Sequence, residues 1–189
     1  MKLGCVVMAA GLSSRFGENK LLQEIEGKTV FLRTLEAIPA EHFQKVIVVT
    51  NSSLFSDTIK EFSFTEIRNK YPEIGVSHTI FLALSTLKDC EGVLFCVADQ
   101  PFLKRSTISN LIVYWQETPS AIVALSCGGK RGNPCIFPAA FFPELLSLEG
   151  DCGGSAVIRR HEDALRLLET DPRELLDIDT PQALHQLLC

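Results

Sequence analysis

Residues 3–20 read LGCVVMAAGLSSRFGENK, and the change of character midway along this stretch decides the fold. Its first part, Leu3 to Ala9, is an unbroken apolar run of the length and kind that makes a strand covered on both faces. The run ends in the small residues Ala9, Ala10 and Gly11, and a polar loop with Arg15, Gly17 and Lys20 follows. Beyond it, Phe31, Leu32, Leu35 and Ile38 are spaced for one face of a helix. A strand, a patterned loop and an amphipathic helix together form the opening unit of a parallel α/β sheet. Lys2 ahead of an apolar run also resembles a short secretory leader. The continuity of the run with the loop and helix favours the strand.

The alternation extends outward from there. Residues 46–50 (VIVVT) predict a second buried strand, and Ser52 or Ser53 can cap a helix bearing Phe55, Ile59 and Phe62. A short strand is expected over 64–68, then a helix presenting Ile80, Phe81, Leu84 and Leu87. Residues 92–98 (GVLFCVA) are the clearest internal strand and run into Asp99-Gln100-Pro101. Ile108, Leu111, Ile112 and Trp115 mark another helix, and 121–125 another strand. Residues 128–134 (GGKRGNP) read as a turn-rich loop, 135–137 as a brief extended piece and 141–148 as a short helix. Thr180-Pro181 suits the start of a last helix, with Thr as cap and Pro at the first position. This order predicts one domain over residues 1–189, an α/β fold of three layers whose mainly parallel, Rossmann-like sheet carries helices on both faces. Ligands of such sheets bind outside the carboxyl ends of the strands. That rule selects the loops after Ala9, after Thr50, around Asn69 and after Ala98.

Bulk properties remove several classes of function. A net charge of −5 offers no basic field to a nucleic acid. No apolar stretch approaches the ~20 residues of a membrane span. The seven cysteines contain no C-x-x-C pair, and an odd number does not suggest a disulfide framework. Most sit in apolar runs as reduced thiols, which points to a cytoplasmic protein. Cys152, in the polar stretch GDCGG, is the one placed for reactivity. The histidines at 42, 78, 161 and 185 lack zinc-site spacing.

The loop at 9–20 lacks the G-x-G-x-x-G of dinucleotide binders, which sets aside a nicotinamide-dependent reductase, and it lacks the Walker A pattern. Its chemistry nevertheless suits a triphosphate. Gly11 permits close backbone approach, Arg15 offers a planar fork and Lys20 a compact charge.

AAGLSSRFGENK resembles the L-A-A-G-x-S-x-R-M-G-x-x-K signature of the MobA-like nucleotidyltransferases, with Phe16 where Met is usual. The resemblance continues, in the family's order, through Asp99-Gln100-Pro101, Gly132-Asn133-Pro134, Gly150-Asp151-Cys152-Gly153-Gly154 and Asp177-Ile178-Asp179-Thr180-Pro181. Within that superfamily the chain looks most like the molybdenum cofactor cytidylyltransferases, which transfer CMP from CTP to the terminal phosphate of molybdopterin. Ala10, in place of the glycine of guanylyl-transferring relatives, accords with cytosine. The resemblance implies nucleotide contacts from Ala9, Ala10, Gly11, Leu12, Arg15 and Lys20, and base contacts from Asn69 and Ser77. It implies catalytic roles for Arg15, Lys20 and Asp99, and Mg2+ held by Asp99 and Asp179.

The residues agree with this reading. Magnesium is satisfied by one or two carboxylates plus phosphate oxygens and waters. Asp99 follows a buried strand, and Asp179 precedes a helix start, where Asp177 is an alternative. Residues 130–134 offer cations to an anionic acceptor, although Ser155 stands where relatives often carry a basic residue. The acceptor can therefore be molybdopterin-type, with transient contact to a molybdoenzyme or its chaperone, or a sugar or polyol phosphate. A carrier without catalytic activity is the third possibility.

Overall fold

The computed structural model describes residues 1–11 and 19–178. In chain order the strands and helices are β1 (Leu3–Ala9), β2 (Glu24–Ile25), β3 (Lys28–Thr29), α1 (Val30–Ala37), β4 (Lys45–Thr50), α2 (Ser56–Glu61), β5 (Thr65–Arg68) and α3 (Val76–Leu84). They continue with β6 (Gly92–Val97), α4 (Arg105–Glu117), β7 (Ile122–Cys127), β8 (Lys130–Pro138), α5 (Phe142–Leu146), α6 (Gly154–Arg160) and β9 (Leu165–Glu169). Seven strands form one sheet in the order β5-β4-β1-β6-β8-β7-β9, and β2 and β3 pair as a small hairpin. Every pairing in the large sheet is parallel except the two made by β8. The mainly parallel sheet expected from the alternation is present.

Alternation of side chains along the strands divides the core into two layers. One face of β1 sends Leu3, Cys5 and Val7 against Phe31 and Leu35 of α1, Ile59 of α2, and Ile108, Ile112 and Trp115 of α4. From the other face Val6 of β1 joins Val93 and Phe95 of β6, Ile80 and Leu84 of α3, Leu145 of α5 and Val157 of α6. Burying each such large side chain stabilises the fold by roughly 1.5–3 kcal/mol. Local signals fix the ends: the Thr29 hydroxyl accepts the Leu32 N–H at 3.1 Å and starts α1. Gly92 opens β6 because a Cβ there would lie 2.6 Å from the Trp115 ring.

Several boundaries differ from the sequence expectation. Residues 130–134 are not a loop. The turn is confined to Gly128 and Gly129, at φ 57° and 75°, and Lys130 already belongs to β8. The pairing with β7 shifts between Ala124–Cys135 and Ser126–Arg131, so residues 132–134 stand opposite Leu125 alone. This bulge accommodates Pro134, which cannot donate to a regular ladder. Phe81 was expected on the buried face of α3 but is 49% exposed and stacks on His78. Leu87 is buried beyond the helix end. The β2–β3 hairpin, α6 and β9 were not anticipated. The helix start at Thr180-Pro181 lies outside the described residues.

Candidate active site

β1 and β6 are neighbours, with Met8 opposite Val97, so their carboxyl ends open side by side. At those ends lies a cleft of about 600 Å³, lined by Ala9, Ala10, Gly11, Lys20, Thr79 and Asp99. Residues 72–76 and Gly150-Asp151 form the facing wall. The Asn51 amide donates to the carbonyls of Ala10 at 3.2 Å and Gly11 at 3.3 Å, so the loop after β4 steadies the loop after β1. On the β6 side, the buried Thr34 hydroxyl of α1 donates to the Ala98 carbonyl at 2.9 Å and holds the turn that presents Asp99.

Lys20 enters from a 3₁₀ turn, Lys20–Leu22, whose Asn19 cap accepts the Leu21 N–H at 3.2 Å. Leu21 is buried and anchors that turn. The Lys20 Nζ and Asp99 Oδ2 pair at 2.5 Å across the cleft floor, with both side chains less than one-fifth exposed. Two sequence positions 79 apart thus form one electrostatic unit. Ile178, buried, donates its N–H to the Asp99 carbonyl at 3.0 Å and brings Asp177 to this end of β6.

The facing wall depends on Gly75. At φ 104° its backbone is in a region that side chains avoid, and a Cβ would lie 2.4 Å from the Gly150 carbonyl oxygen. The Ser77 N–H donates to the same carbonyl at 3.2 Å. Ser77 and Asn69 are both buried and are not among the cleft's lining residues. Asn69 donates to the Thr79 hydroxyl at 3.1 Å, accepts the Tyr71 N–H at 2.9 Å and meets His78 Nδ1 at 2.9 Å. Its side chain therefore shapes the wall, while Thr79 reaches the cleft.

A smaller pocket of about 200 Å³ shares Met8, Val76 and Val97 with the main cleft and extends it toward Arg131, Asn133 and Ser155. The Arg131 guanidinium donates to the Ser155 hydroxyl at 2.9 Å. A cation from β8 thus stands beside the position where the motif lacked one. Cys135 also lines this pocket, but burial pushes its thiol up to about 12, so it stays neutral. Cys152 is exposed.

Of the residues expected at the site, Ala9, Ala10, Gly11, Lys20 and Asp99 converge on the cleft. Leu12, Arg15 and Asp179 lie outside the described residues, and Asp177 is exposed just before Ile178. Of the stretch 69–79, expected to line the base, residues 72–76 and Thr79 line the cleft, whereas Asn69 and Ser77, to which base contact was assigned, do not. Among the described residues no three acidic, His or Cys side chains cluster as a ready-made metal cage. No helix among them is long and apolar enough to cross a membrane.

Residues 5–165 match the MobA-like NTP transferase domain. A protein of Pyrococcus horikoshii named "Probable molybdenum cofactor guanylyltransferase" is 39% identical over 153 residues, covering 80% of this chain and 75% of that protein. The purine catabolism protein PucB of Bacillus subtilis is 26% identical over 94% of this chain and 91% of its own. The crystal structure of Rv0371c from Mycobacterium tuberculosis has a TM-score of 0.82 at 23% identity, covering 100% of this chain and 98% of that one. This last likeness is one of fold.

Proposed function

The chain belongs to the MobA-like NTP transferase family, and from that membership we propose a magnesium-dependent transfer of CMP from CTP to the terminal phosphate of a molybdopterin-type acceptor. The observation that carries the proposal is the Lys20–Asp99 pair on the floor of a cleft at the carboxyl ends of β1 and β6. The donor set suits a cation that arrives with its nucleotide: one carboxylate is in place, and magnesium takes its remaining ligands from phosphate oxygens and water. Asp99 would hold it, with Asp179 or Asp177 as the second carboxylate. When bound, the ion supplies positive charge to the phosphate oxygens.

The remaining work falls to the chain. Gly11 and the small residues before it let the triphosphate approach the backbone. Asp99 would hold the cation and Lys20 would meet the phosphates, with Arg15 supporting them during transfer. An acceptor phosphate oxygen attacks the α-phosphorus and forms the new P–O bond. The bond from the α-phosphorus to the bridging oxygen breaks, and pyrophosphate leaves with the electron pair. Alignment and charge neutralisation supply the acceleration. Thr79 and the loop that Asn69 and Ser77 shape flank the base, and Arg131 with Asn133 receives the acceptor's anionic end. Delivery of the product to a molybdoenzyme or its chaperone would follow.

Ala10 supports cytosine, whereas the Pyrococcus relative's name points to guanine, so the base is the first thing to measure. Pyrophosphate release is followed with CTP, GTP, ATP and UTP, with magnesium, in the presence and absence of molybdopterin. Acceptor-dependent release with CTP, abolished in Asp99→Ala, is expected. Release with GTP alone would overturn the base, and no release with any triphosphate would favour another acceptor or a carrier.

A further inference from the structure

Residues 173–178 run alongside the turn 99–104 and are tied to it at four places. The Arg173 guanidinium lies 5.3 Å above the Phe102 ring. The Glu174 carboxylate accepts the Lys104 backbone N–H at 3.0 Å and pairs with its Nζ at 3.2 Å. Gln100 Nε2 reaches the Leu175 carbonyl at 3.4 Å, and the Ile178 N–H donates to the Asp99 carbonyl at 3.0 Å. Every tie lands on the short turn that presents Asp99.

Glu174 is the unusual member. It is 3% exposed, whereas carboxylates are almost never buried unless they are paired. The segment is also seated on the core through Ile178, which is fully buried, and Leu175, which packs against the same cluster, while Leu176 and Asp177 are exposed. Its ties join that turn to Asp177 and Ile178. We infer that Glu174 is a positioning residue for the divalent-cation site: by fastening residues 173–178 to the start of α4, it fixes the Asp99 turn and the place at which Asp177 and Ile178 meet it. This inference rests on the reading of Asp99 as a magnesium ligand.

The test separates nucleotide binding from its metal-dependent part. Dissociation constants for CTP, or for whichever triphosphate the wild type prefers, are measured by calorimetry with magnesium and again in EDTA. The wild type is expected to bind at least about tenfold more tightly with magnesium. Glu174→Ala should lose most of that gain while its affinity in EDTA stays within about twofold, and Glu174→Gln, which keeps an acceptor for the Lys104 N–H, should retain it. Ile59→Val, which loosens the core by packing alone, should leave the ratio unchanged. An unchanged ratio in folded Glu174→Ala, or equal weakening under both conditions, overturns the proposal. If Glu174→Ala does not fold, Gln100→Leu severs a neighbouring tie and is expected to lower the ratio, and an unchanged ratio there overturns it equally. A wild type without any metal-dependent gain would overturn both this inference and the magnesium reading beneath it.

Discussion

Replacing Gly75 with Ala tests the construction of the cleft wall. Gly75 sits at φ 104° and ψ −174°, a region essentially restricted to glycine, and a side chain there costs about 1–3 kcal/mol in backbone strain. The new Cβ would also stand 2.4 Å from the Gly150 oxygen and 2.7 Å from the Asp151 nitrogen. Both atoms are backbone, so the wall itself must shift, and the Ser77 N–H bond to Gly150 is lost at a cost of about 0.5–1.5 kcal/mol. The expected destabilisation is about 2–4 kcal/mol, which for a chain of this size lowers the melting temperature by about 4–16 °C. Triphosphate affinity should fall with it, because residues 72–76 and Gly150-Asp151 move apart. Calorimetric melting and a nucleotide titration of the same preparation check both effects. A variant that melts within about 1 °C of the wild type and binds as well would refute the reasoning.

Lys20→Met should reduce turnover by about 10²–10³, measured as pyrophosphate release. The Ser126 hydroxyl and the N–H groups of Gly129 and Gly128 hold the Glu169 carboxyl below its usual range. Its ionised form therefore contributes stability above the unfolded value near ~4.3, and that stability is lost as pH falls through the lower folded value. Wild-type melting temperature should accordingly drop more steeply than that of Glu169→Gln between about pH 5 and 3, and equal slopes would discard the clamp. Burial pushes the Cys96 and Cys135 thiols up to about 12. Iodoacetamide on the native protein should therefore reach exposed Cys152 well before either of them, as peptide mass spectrometry would show.

The sheet was legible where the chain is buried on both faces. β1, β4 and β6 are nearly continuous apolar runs because every position but the exposed Lys45 and the half-buried Met8 and Val97 is buried, and their lengths leave no room for a helix. β8 was hidden by its own composition. Gly132, Asn133 and Pro134 are turn formers, and only the bulge opposite Leu125 lets them lie in a central strand. β9 covers the sheet's last edge with no residue fully buried, so its alternation is faint. At the site, Asp99 was recognisable from its place just past a buried strand, and Lys20 from the patterned loop that resembles the family signature. Asn69, Ser77 and Thr79 were not separable. Each can bond a ligand or the backbone, and the fold turns the first two inward and leaves the third at the cleft.

The reversed direction of β8 has a meaning for how such a scaffold diversifies. Parallel strands deliver their exits to the rim of the cleft, but β8 arrives there by its entrance, beside the exit of β6. The ladder that secures it, Cys135 onward, lies deeper in the sheet than the bulged residues 132–134 and the turn before them. Side-chain changes at Lys130 and Arg131 therefore alter the cleft rim without touching the rungs β1 shares with β4 and β6, whereas Gly132, where a Cβ would lie 3.0 Å from the Leu175 side chain, is held to its residue type.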